Sequence, residues 1–192
     1  MLDAALARRL RLIGFDVDGV LTDGGIYIGR VGDHPVEFKR FDSQDGSGAW
    51  LLRRAGIALA FSSGRHSDAT LIRAREMKVD EVIEDETGAG RKLMAFEAML
   101  ERRGIAWDQC AFVGDDLADL PLLTRVALPI AVANAVPEVT AAATLITQRS
   151  GGQGVVREVA MTILTARGVW EDMVHQYLEE RDDATRRTVG SR

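Results

Sequence analysis

Two aspartates spaced one residue apart end an apolar stretch near the start of the chain. Residues 12–22 read LIGFDVDGVLT, so Asp16 and Asp18 follow a run suited to a buried strand, and Gly19 comes next. A lone aspartate at a strand end commonly caps a helix or a turn. Two like charges beside a glycine are less well explained by capping. Side chains two residues apart lie on the same side of an extended strand, so the pair indicates a carboxylate site.

A second acidic group follows another apolar stretch. In AFVGDDLADLP, Asp115 and Asp116 come directly after the apolar residues, and Asp119 lies one helical turn beyond Asp115. These side chains could instead cap a helix start or be exposed to solvent in its first turn, where the helix macrodipole favours negative charge. Gathering four or five carboxylates at one sheet edge is costly unless a cation compensates the repulsion. Hard oxygen ligands without a Cys or His cluster point to Mg²⁺.

Two further residues carry groups that phosphoryl transfer uses. Ser63 lies in AFSSGR and Lys92 in RKLMAF, and each alone could be a cap or a surface residue. A transferred phosphoryl group carries charge on three oxygens and needs donors and cations around it. An aspartate can be the nucleophile and form an aspartyl-phosphate. Together with a metal, these residues predict phosphoryl transfer.

The elements that must bring these residues together alternate between strand and helix patterns. Apolar residues have helical spacing in residues 91–103 and 155–164. Strands alternating with helices predict an α/β fold, a three-layer doubly wound parallel sheet whose ligands bind beyond the carboxyl ends of the strands. The exception is the turn-rich segment 24–41, which predicts a β-hairpin inserted after the first strand. Apolar runs that predict strands are residues 12–15, 57–61, 79–83, 110–113, 127–132 and 144–147.

Composition narrows the class of protein. The 192 residues suit one domain, and 46% hydrophobic with 28% charged residues is typical of soluble globular proteins. A net charge of -5 with three histidines offers no basic surface for nucleic acid. Cys110 cannot form an internal disulfide, and no segment resembles a signal peptide or a membrane span. We expect a cytoplasmic protein without nucleic-acid or membrane partners, with one domain over residues 1–178 and a charged, flexible tail over residues 179–192.

The order of these motifs resembles the haloacid dehalogenase superfamily of phosphatases. DVDGVLTDG, SSGR, Lys92 and GDDLADLP match its four motifs in that order, and the match spans residues 12–159. The DxDGVxTDG form, the immediate hairpin, the absence of a cap-sized insertion and GGQGVVREV resemble its capless, tetrameric subgroup. The resemblance implies a Rossmann-like fold without a cap domain.

The resemblance also implies roles for the aspartates. Asp16 would be the nucleophile, and Asp18 the general acid/base that protonates the leaving alkoxide and then activates water. The side chains of Asp16 and Asp115 and the backbone carbonyl of Asp18 would hold Mg²⁺. Asp116 or Asp119 would support the metal from nearby.

The same resemblance implies which residues bind the phosphate and how the subunits assemble. Ser63, Gly64 and Lys92 would bind the phosphoryl oxygens. Because the subgroup is capless, a neighbouring subunit of a homotetramer would close each site with its hairpin, which makes segment 24–41 an assembly element.

The implied substrate is a phosphorylated 2-keto-3-deoxy sugar acid. The first choice is 3-deoxy-D-manno-octulosonate (KDO) 8-phosphate, a precursor in lipopolysaccharide biosynthesis, and the alternative is the 9-phosphate of a nine-carbon 2-keto sugar acid. Arg65 matches the octulosonate enzymes, whereas the nine-carbon group has glutamate there. Gln44 and Trp50 occupy positions where octulosonate enzymes have arginines. The other expected substrate residues are Asp45, Gly46, Arg73 and Arg157, and Arg157 could equally be a surface helix residue.

Two hypotheses in which the protein is not an enzyme compete with the phosphatase hypothesis. A receiver-like signalling module also combines acidic residues, Ser or Thr and Lys on a doubly wound sheet. Receivers place the acidic pair first and the acceptor aspartate in the middle, unlike this chain, and Asp18 would hydrolyse a stable phospho-switch. The other hypothesis is a catalytically silent subunit. The sequence argues against it, because none of the expected catalytic residues is missing.

Overall fold

A computed structural model describes residues 2–84 and 92–189, with side chains to residue 182. One sheet of six parallel strands and a separate two-stranded hairpin make up its described strands. These are β1 (Leu12–Asp16), β2 (Tyr27–Val31), β3 (His34–Phe38), β4 (Ala58–Ser63), β5 (Glu81–Glu84), β6 (Cys110–Gly114), β7 (Leu128–Ala131) and β8 (Leu145–Ile146). The helices are α1 (Ala4–Arg9), α2 (Gln44–Arg54), α3 (Asp68–Met77), α4 (Lys92–Arg103), α5 (Leu120–Leu123), α6 (Pro137–Ala142), α7 (Val155–Arg167) and α8 (Trp170–Val189).

The sheet order, β5-β4-β1-β6-β7-β8, confirms the predicted doubly wound α/β fold. Alternate residues of each strand enter cores on opposite faces, as strand geometry requires. Ile13 and Phe15 of β1 pack with α1, α2, α3 and α7, whereas Leu12 packs with α4, α5 and α6. Helices therefore cover both faces, and the sheet is the middle of three layers.

The predicted hairpin follows β1 and lies outside the main sheet. Its strands β2 and β3 pair antiparallel, with Tyr27 opposite Phe38, and a bridge between Thr22 and Phe41 closes its base. Several of its large apolar side chains are exposed in the single chain. They are Ile26, Tyr27, Ile28, Val31 and Phe38.

Helix α8 includes much of the segment that we predicted as a flexible tail, since it runs to Val189. It contacts the domain through Tyr177, whose ring lies edge-on to Trp50 with centroids 5.1 Å apart. The domain limits and the flexibility of the tail stay predictions. Among the described helices, none has both the length and the apolar content needed to cross a bilayer.

Arg167, at the end of α7, ties three elements together. Its guanidinium donates to the backbone carbonyls of Ala7, Leu10 and Ala55, which follow or belong to α1 and α2. We expect Arg167→Ala to lower the free energy of unfolding by about 2–3 kcal/mol, because charge-assisted hydrogen bonds to half-buried carbonyls are lost. Urea unfolding measures this, with Arg75→Ala, at an exposed position of α3, as the matched control. Equal midpoints for the two variants would contradict the prediction.

Candidate active site

The site lies at the carboxyl edge of the sheet, where the chain reverses its direction of winding. From β1 the chain adds β4 and β5 on one side, then returns to place β6 on the other side. Crevices form at such switch points in open α/β sheets. Asp16 ends β1, Ser63 ends β4, and Asp115 follows β6. The fold thus brings all three predicted residues to one edge.

A wide π-type turn over Val17–Leu21, in which Asp18 and Gly19 depart from helical backbone angles, shapes the segment after β1. Gly19 has φ of 103° in this turn, and a Cβ there would lie 2.0 Å from Asp115 Oδ2. The hydroxyl of Thr22 accepts from the Gly19 amide and donates to the Val17 carbonyl, each at 3.3 Å. Glycine at position 19 therefore allows the second acidic motif to approach the first.

Lys92 joins the two acidic motifs through buried ion pairs. Its Nζ lies 2.5 Å from Asp16 Oδ1 and 2.6 Å from Asp119 Oδ1. The other oxygen of Asp119 accepts from the Asp115 amide at 2.9 Å, which fixes the carboxylate in the turn after β6. Lys92, which we predicted to bind phosphate, therefore lies beside Asp16, the predicted nucleophile.

Three carboxylates form a cluster that fits a divalent cation. Oxygens of Asp16, Asp115 and Asp119 all lie within 4.8 Å of one another. Oδ1 of Asp115 is buried and has no hydrogen-bond partner among the described residues. An unpaired buried carboxylate oxygen beside hard oxygen donors is suited to an ion such as Mg²⁺. Asp116, in contrast, uses its carboxylate to cap the next turn at the Leu117 amide.

Burial controls the ionisation of this cluster. Desolvation raises the pKa of Asp16 to about 8, with further contributions from neighbouring carboxylates that Lys92 opposes. Desolvation and then Asp119 raise the pKa of Asp115 to about 7. Burial alone would lower the pKa of Lys92, but Asp16 and Asp119 raise it above its ordinary value, so the ammonium stays charged. A cation at the cluster would favour the ionised carboxylates.

Asp18 lies on the hairpin side of the site. Ser63 Oγ is 3.5 Å from Asp18 Oδ2 and accepts from the Arg65 amide at 3.1 Å. Lys39, which we did not predict, donates to both carboxylate oxygens of Asp18. A lone lysine in a hairpin carries no pattern that would identify it in the sequence. Arg65 forms an ion pair of 2.6 Å with Glu37 of β3.

An open cavity of about 480 Å³ lies at this edge of the sheet. Its lining includes the predicted catalytic and metal-binding residues and one predicted substrate residue, Arg65. Of the predicted phosphate-binding residues, Gly64 and Lys92 line it and Ser63 does not. The lining residues are Asp16, Asp18, Gly64, Arg65, Lys92, Asp115, Asp116, Ala118, Asp119 and Pro121.

The other predicted substrate residues do not line this cavity. Asp45 is buried and accepts from the Val156 amide at the start of α7 at 2.9 Å; desolvation raises its pKa to about 7. Arg73, near Gly46, donates to the Asp42 carbonyl at 2.8 Å. The guanidinium of Arg157 lies 4.4 Å from the Trp170 ring centroid. In the single chain these contacts are structural, and substrate binding by the four residues stays a prediction.

Gln44 and Trp50, which stand where the octulosonate enzymes have arginines, both have partners in the structure. Trp50 packs against Tyr177 and so helps to attach α8. Gln44 Oε1 accepts from Arg149 at 2.7 Å, so a guanidinium from a distant segment lies at this position. The same Arg149 donates to the Gln153 carbonyl at 2.9 Å.

Comparisons with known proteins find similar sequences over most of the chain. Residues 87–159 match the model of the haloacid dehalogenase-like hydrolase family. The chain is 38% identical to 3-deoxy-D-manno-octulosonate 8-phosphate phosphatase KdsC of Escherichia coli K12 over 164 residues, 85% of this chain and 84% of that protein.

Solved structures of similar proteins share the fold. The Moraxella catarrhalis 3-deoxy-D-manno-octulosonate 8-phosphate phosphatase, in complex with magnesium, phosphate and KDO, superposes with a TM-score of 0.83. The identity is 34%, and the match covers 91% of this chain and 97% of that one. The cobalt-bound phosphatase YrbI of Haemophilus influenzae has a TM-score of 0.77 and 31% identity, with 86% and 93% covered.

Proposed function

Because the chain belongs to the haloacid dehalogenase-like hydrolases, in the family of the 3-deoxy-D-manno-octulosonate 8-phosphate phosphatases, we propose that it hydrolyses this sugar-acid phosphate to KDO and phosphate. The product would serve lipopolysaccharide biosynthesis. The observation that carries the proposal is that Asp16, Asp18 and Lys92 line the same cavity as the Asp115 motif. An alternative substrate is the 9-phosphate of a nine-carbon 2-keto sugar acid.

The proposed cofactor is Mg²⁺. The side chains of Asp16 and Asp115 and the backbone carbonyl of Asp18 would hold it, supported by Asp119, which the cluster includes. Asp116 caps its own turn instead. When bound, the cation neutralises charge on the carboxylates and on the phosphoryl oxygens.

The proposed mechanism uses covalent catalysis by Asp16. A carboxylate oxygen of Asp16 attacks phosphorus as the bond to the sugar oxygen breaks, and Asp18 gives its proton to that oxygen. Asp18 then takes a proton from water, whose oxygen attacks the aspartyl-phosphate and releases phosphate and free Asp16. Lys92 and Ser63, with Gly64, hold the phosphoryl oxygens, which carry the charge of the transition state.

The cavity also supports the ranking of substrates. Arg65 lines it, and its half-exposed guanidinium pairs with Glu37 through one nitrogen, which leaves other donors for an anionic sugar. Arg149 places a guanidinium beside Gln44, where the octulosonate motif has an arginine of its own. The chain therefore retains positive charge near that position in spite of the substitution.

A phosphate-release assay tests the proposed function. We expect octulosonate 8-phosphate to be hydrolysed with a kcat/KM at least about tenfold above those of a nine-carbon 2-keto acid 9-phosphate and glucose 6-phosphate. One charge-assisted contact to the carboxylate, which glucose 6-phosphate lacks, contributes about this much or more. The nine-carbon acid has the carboxylate but one more carbon between it and the phosphate, so a pocket of fixed length discriminates against it. A preference for the 9-phosphate would replace the first substrate with the alternative. No release from any sugar-acid phosphate with Mg²⁺ present would refute the phosphatase.

We also infer a homotetramer in the cytoplasm. The exposed apolar residues of the hairpin, among them Ile28 and Phe38, offer a surface that a second copy would cover. The free, buried thiol of Cys110 is consistent with a reducing compartment. A signalling module or a silent subunit would have no use for a general acid/base beside the nucleophile.

A further inference from the structure

We infer that Lys39 is the positioning residue of the general acid/base: its ammonium holds the carboxylate of Asp18 in place for both proton transfers. The inference deepens the proposed function and rests on it. Lys39 lies just after β3, so the hairpin contributes to catalysis within its own chain as well as to assembly.

The contact between the two side chains is close and bidentate. Lys39 Nζ lies 2.7 Å from Oδ1 and 3.0 Å from Oδ2 of Asp18. The side chain of Lys39 is only 2% exposed, whereas that of Asp18 is 30% exposed toward the cavity. A buried ammonium is costly unless it is paired. The protein therefore holds Lys39 against Asp18, while Asp18 keeps access to the substrate.

The base of the hairpin is attached on both sides of Lys39. Arg40, the next residue, donates to the Gly152 carbonyl at 3.1 Å, and the Thr22–Phe41 bridge closes the segment. On the other side, Glu37 pairs with Arg65 of the loop after β4. Because these contacts limit the movement of the Lys39 backbone, its ammonium is held in one position.

The proton transfers explain why a cation is useful there. When the Asp18 carboxyl gives its proton to the leaving oxygen, negative charge develops on Asp18 beside the acidic residues Asp16 and Asp115. An ammonium at hydrogen-bond distance stabilises this charge as it forms. In the second step the carboxylate takes a proton from water, and the same two hydrogen bonds keep its oxygens in orientation.

Lys39 acts through Asp18 and not on the phosphate. It is absent from the residues that line the described cavity, whereas Lys92 lines it. Among the described residues, both hydrogen bonds of its ammonium go to Asp18. Loss of its ammonium should therefore affect the step that needs a proton donor more than the binding of phosphate.

Leaving groups that differ in their need for a proton test this inference. Lys39→Met keeps the length of the stem and removes the charge. We expect kcat/KM for octulosonate 8-phosphate to fall about 100-fold, since general acid catalysis contributes about 10² to 10⁴. For p-nitrophenyl phosphate, whose phenolate leaves without a proton, we expect a loss below about tenfold. A sugar-phosphate loss at least ten times the aryl loss supports the inference, and any smaller ratio overturns it.

A double-mutant cycle tests whether the effect passes through Asp18. In an Asp18→Asn background, Lys39→Met should cause less than about a threefold further loss in kcat/KM, because the group that it positions is already disabled. A further loss as large as in the wild-type background would overturn the inference. Lys39→Arg, which retains donors and charge, should recover at least a tenth of wild-type activity and replaces Lys39→Met if that variant does not fold.

Controls separate this inference from the proposed function. Lys78→Met, at an exposed position after α3, removes a lysine charge far from the mechanism and should leave both substrates unaffected. Circular dichroism and the inhibition constant of inorganic phosphate should be unchanged in Lys39→Met. If the wild-type protein releases no phosphate from sugar acids, the proposed function fails; if it does so and the ratio is not met, only the role of Lys39 fails.

Discussion

The variant Asp16→Asn is expected to lose about four to six orders of magnitude in turnover while retaining its fold. Removing a nucleophile disables all the residues that act with it, and losses in other enzymes with covalent intermediates reach this size. An amide keeps the shape of the side chain, and its oxygen can still accept from Lys92 at the end of β1. The variant should therefore fold, but it cannot form an aspartyl-phosphate.

Steady-state assays and mass spectrometry check this result. The wild-type protein, quenched in acid during turnover, should contain a fraction of chains heavier by one phosphoryl group, and Asp16→Asn should contain none. Asp108→Asn, at an exposed position before β6, is the matched control and should retain full activity. Near wild-type turnover in Asp16→Asn would rule out covalent catalysis through this residue.

Removal of Mg²⁺ by a chelator is expected to reduce turnover at least about a thousandfold, and added Mg²⁺ should restore it. Metal ions contribute several kcal/mol of charge stabilisation in such transition states, and each 1.36 kcal/mol is a factor of about ten. The acidic cluster has only Lys92 as a paired cation within the described residues. Turnover that persists in excess chelator would contradict a metal-dependent mechanism.

The pH dependence of stability should differ between the metal-free and metal-bound protein. The pKa values of Asp16, about 8, and Asp115, about 7, lie above the value of about 3.9 for an unfolded aspartate. Between about pH 4 and 8 the folded, metal-free protein therefore binds more protons than the unfolded chain. Its free energy of unfolding should fall as the pH rises through this window.

Bound Mg²⁺ should oppose this fall, because a metal binds the ionised carboxylates. We expect saturating Mg²⁺ to raise the melting temperature more at pH 9 than at pH 6, by several degrees for this size of protein. Thermal unfolding at the two pH values, with and without the ion, measures the difference. Asp115→Asn should lose most of the Mg²⁺ effect, and equal effects of the ion at both pH values would count against the cluster as its binding site.

The sequence by itself determined which edge of the sheet holds the candidate site, and it predicted phosphoryl transfer there. The alternation of apolar runs and helical segments predicted each strand of the main sheet, and strand ends marked Asp16, Ser63 and Asp115. These features depend on local periodicity, which a sequence displays directly. The order of the motifs indicated the family, and the comparisons confirmed that family.

Only the tertiary structure decided which side chains meet across long separations. Asp119 rather than Asp116 enters the acidic cluster, because the two differ in where the short turn after β6 directs them. Trp50 attaches α8, and Gln44 receives Arg149 from 105 residues away. Lys39 reaches Asp18 across 21 residues because the base of the hairpin is tied to the sheet edge. Such contacts depend on how the elements pack, and residue spacing alone does not encode them.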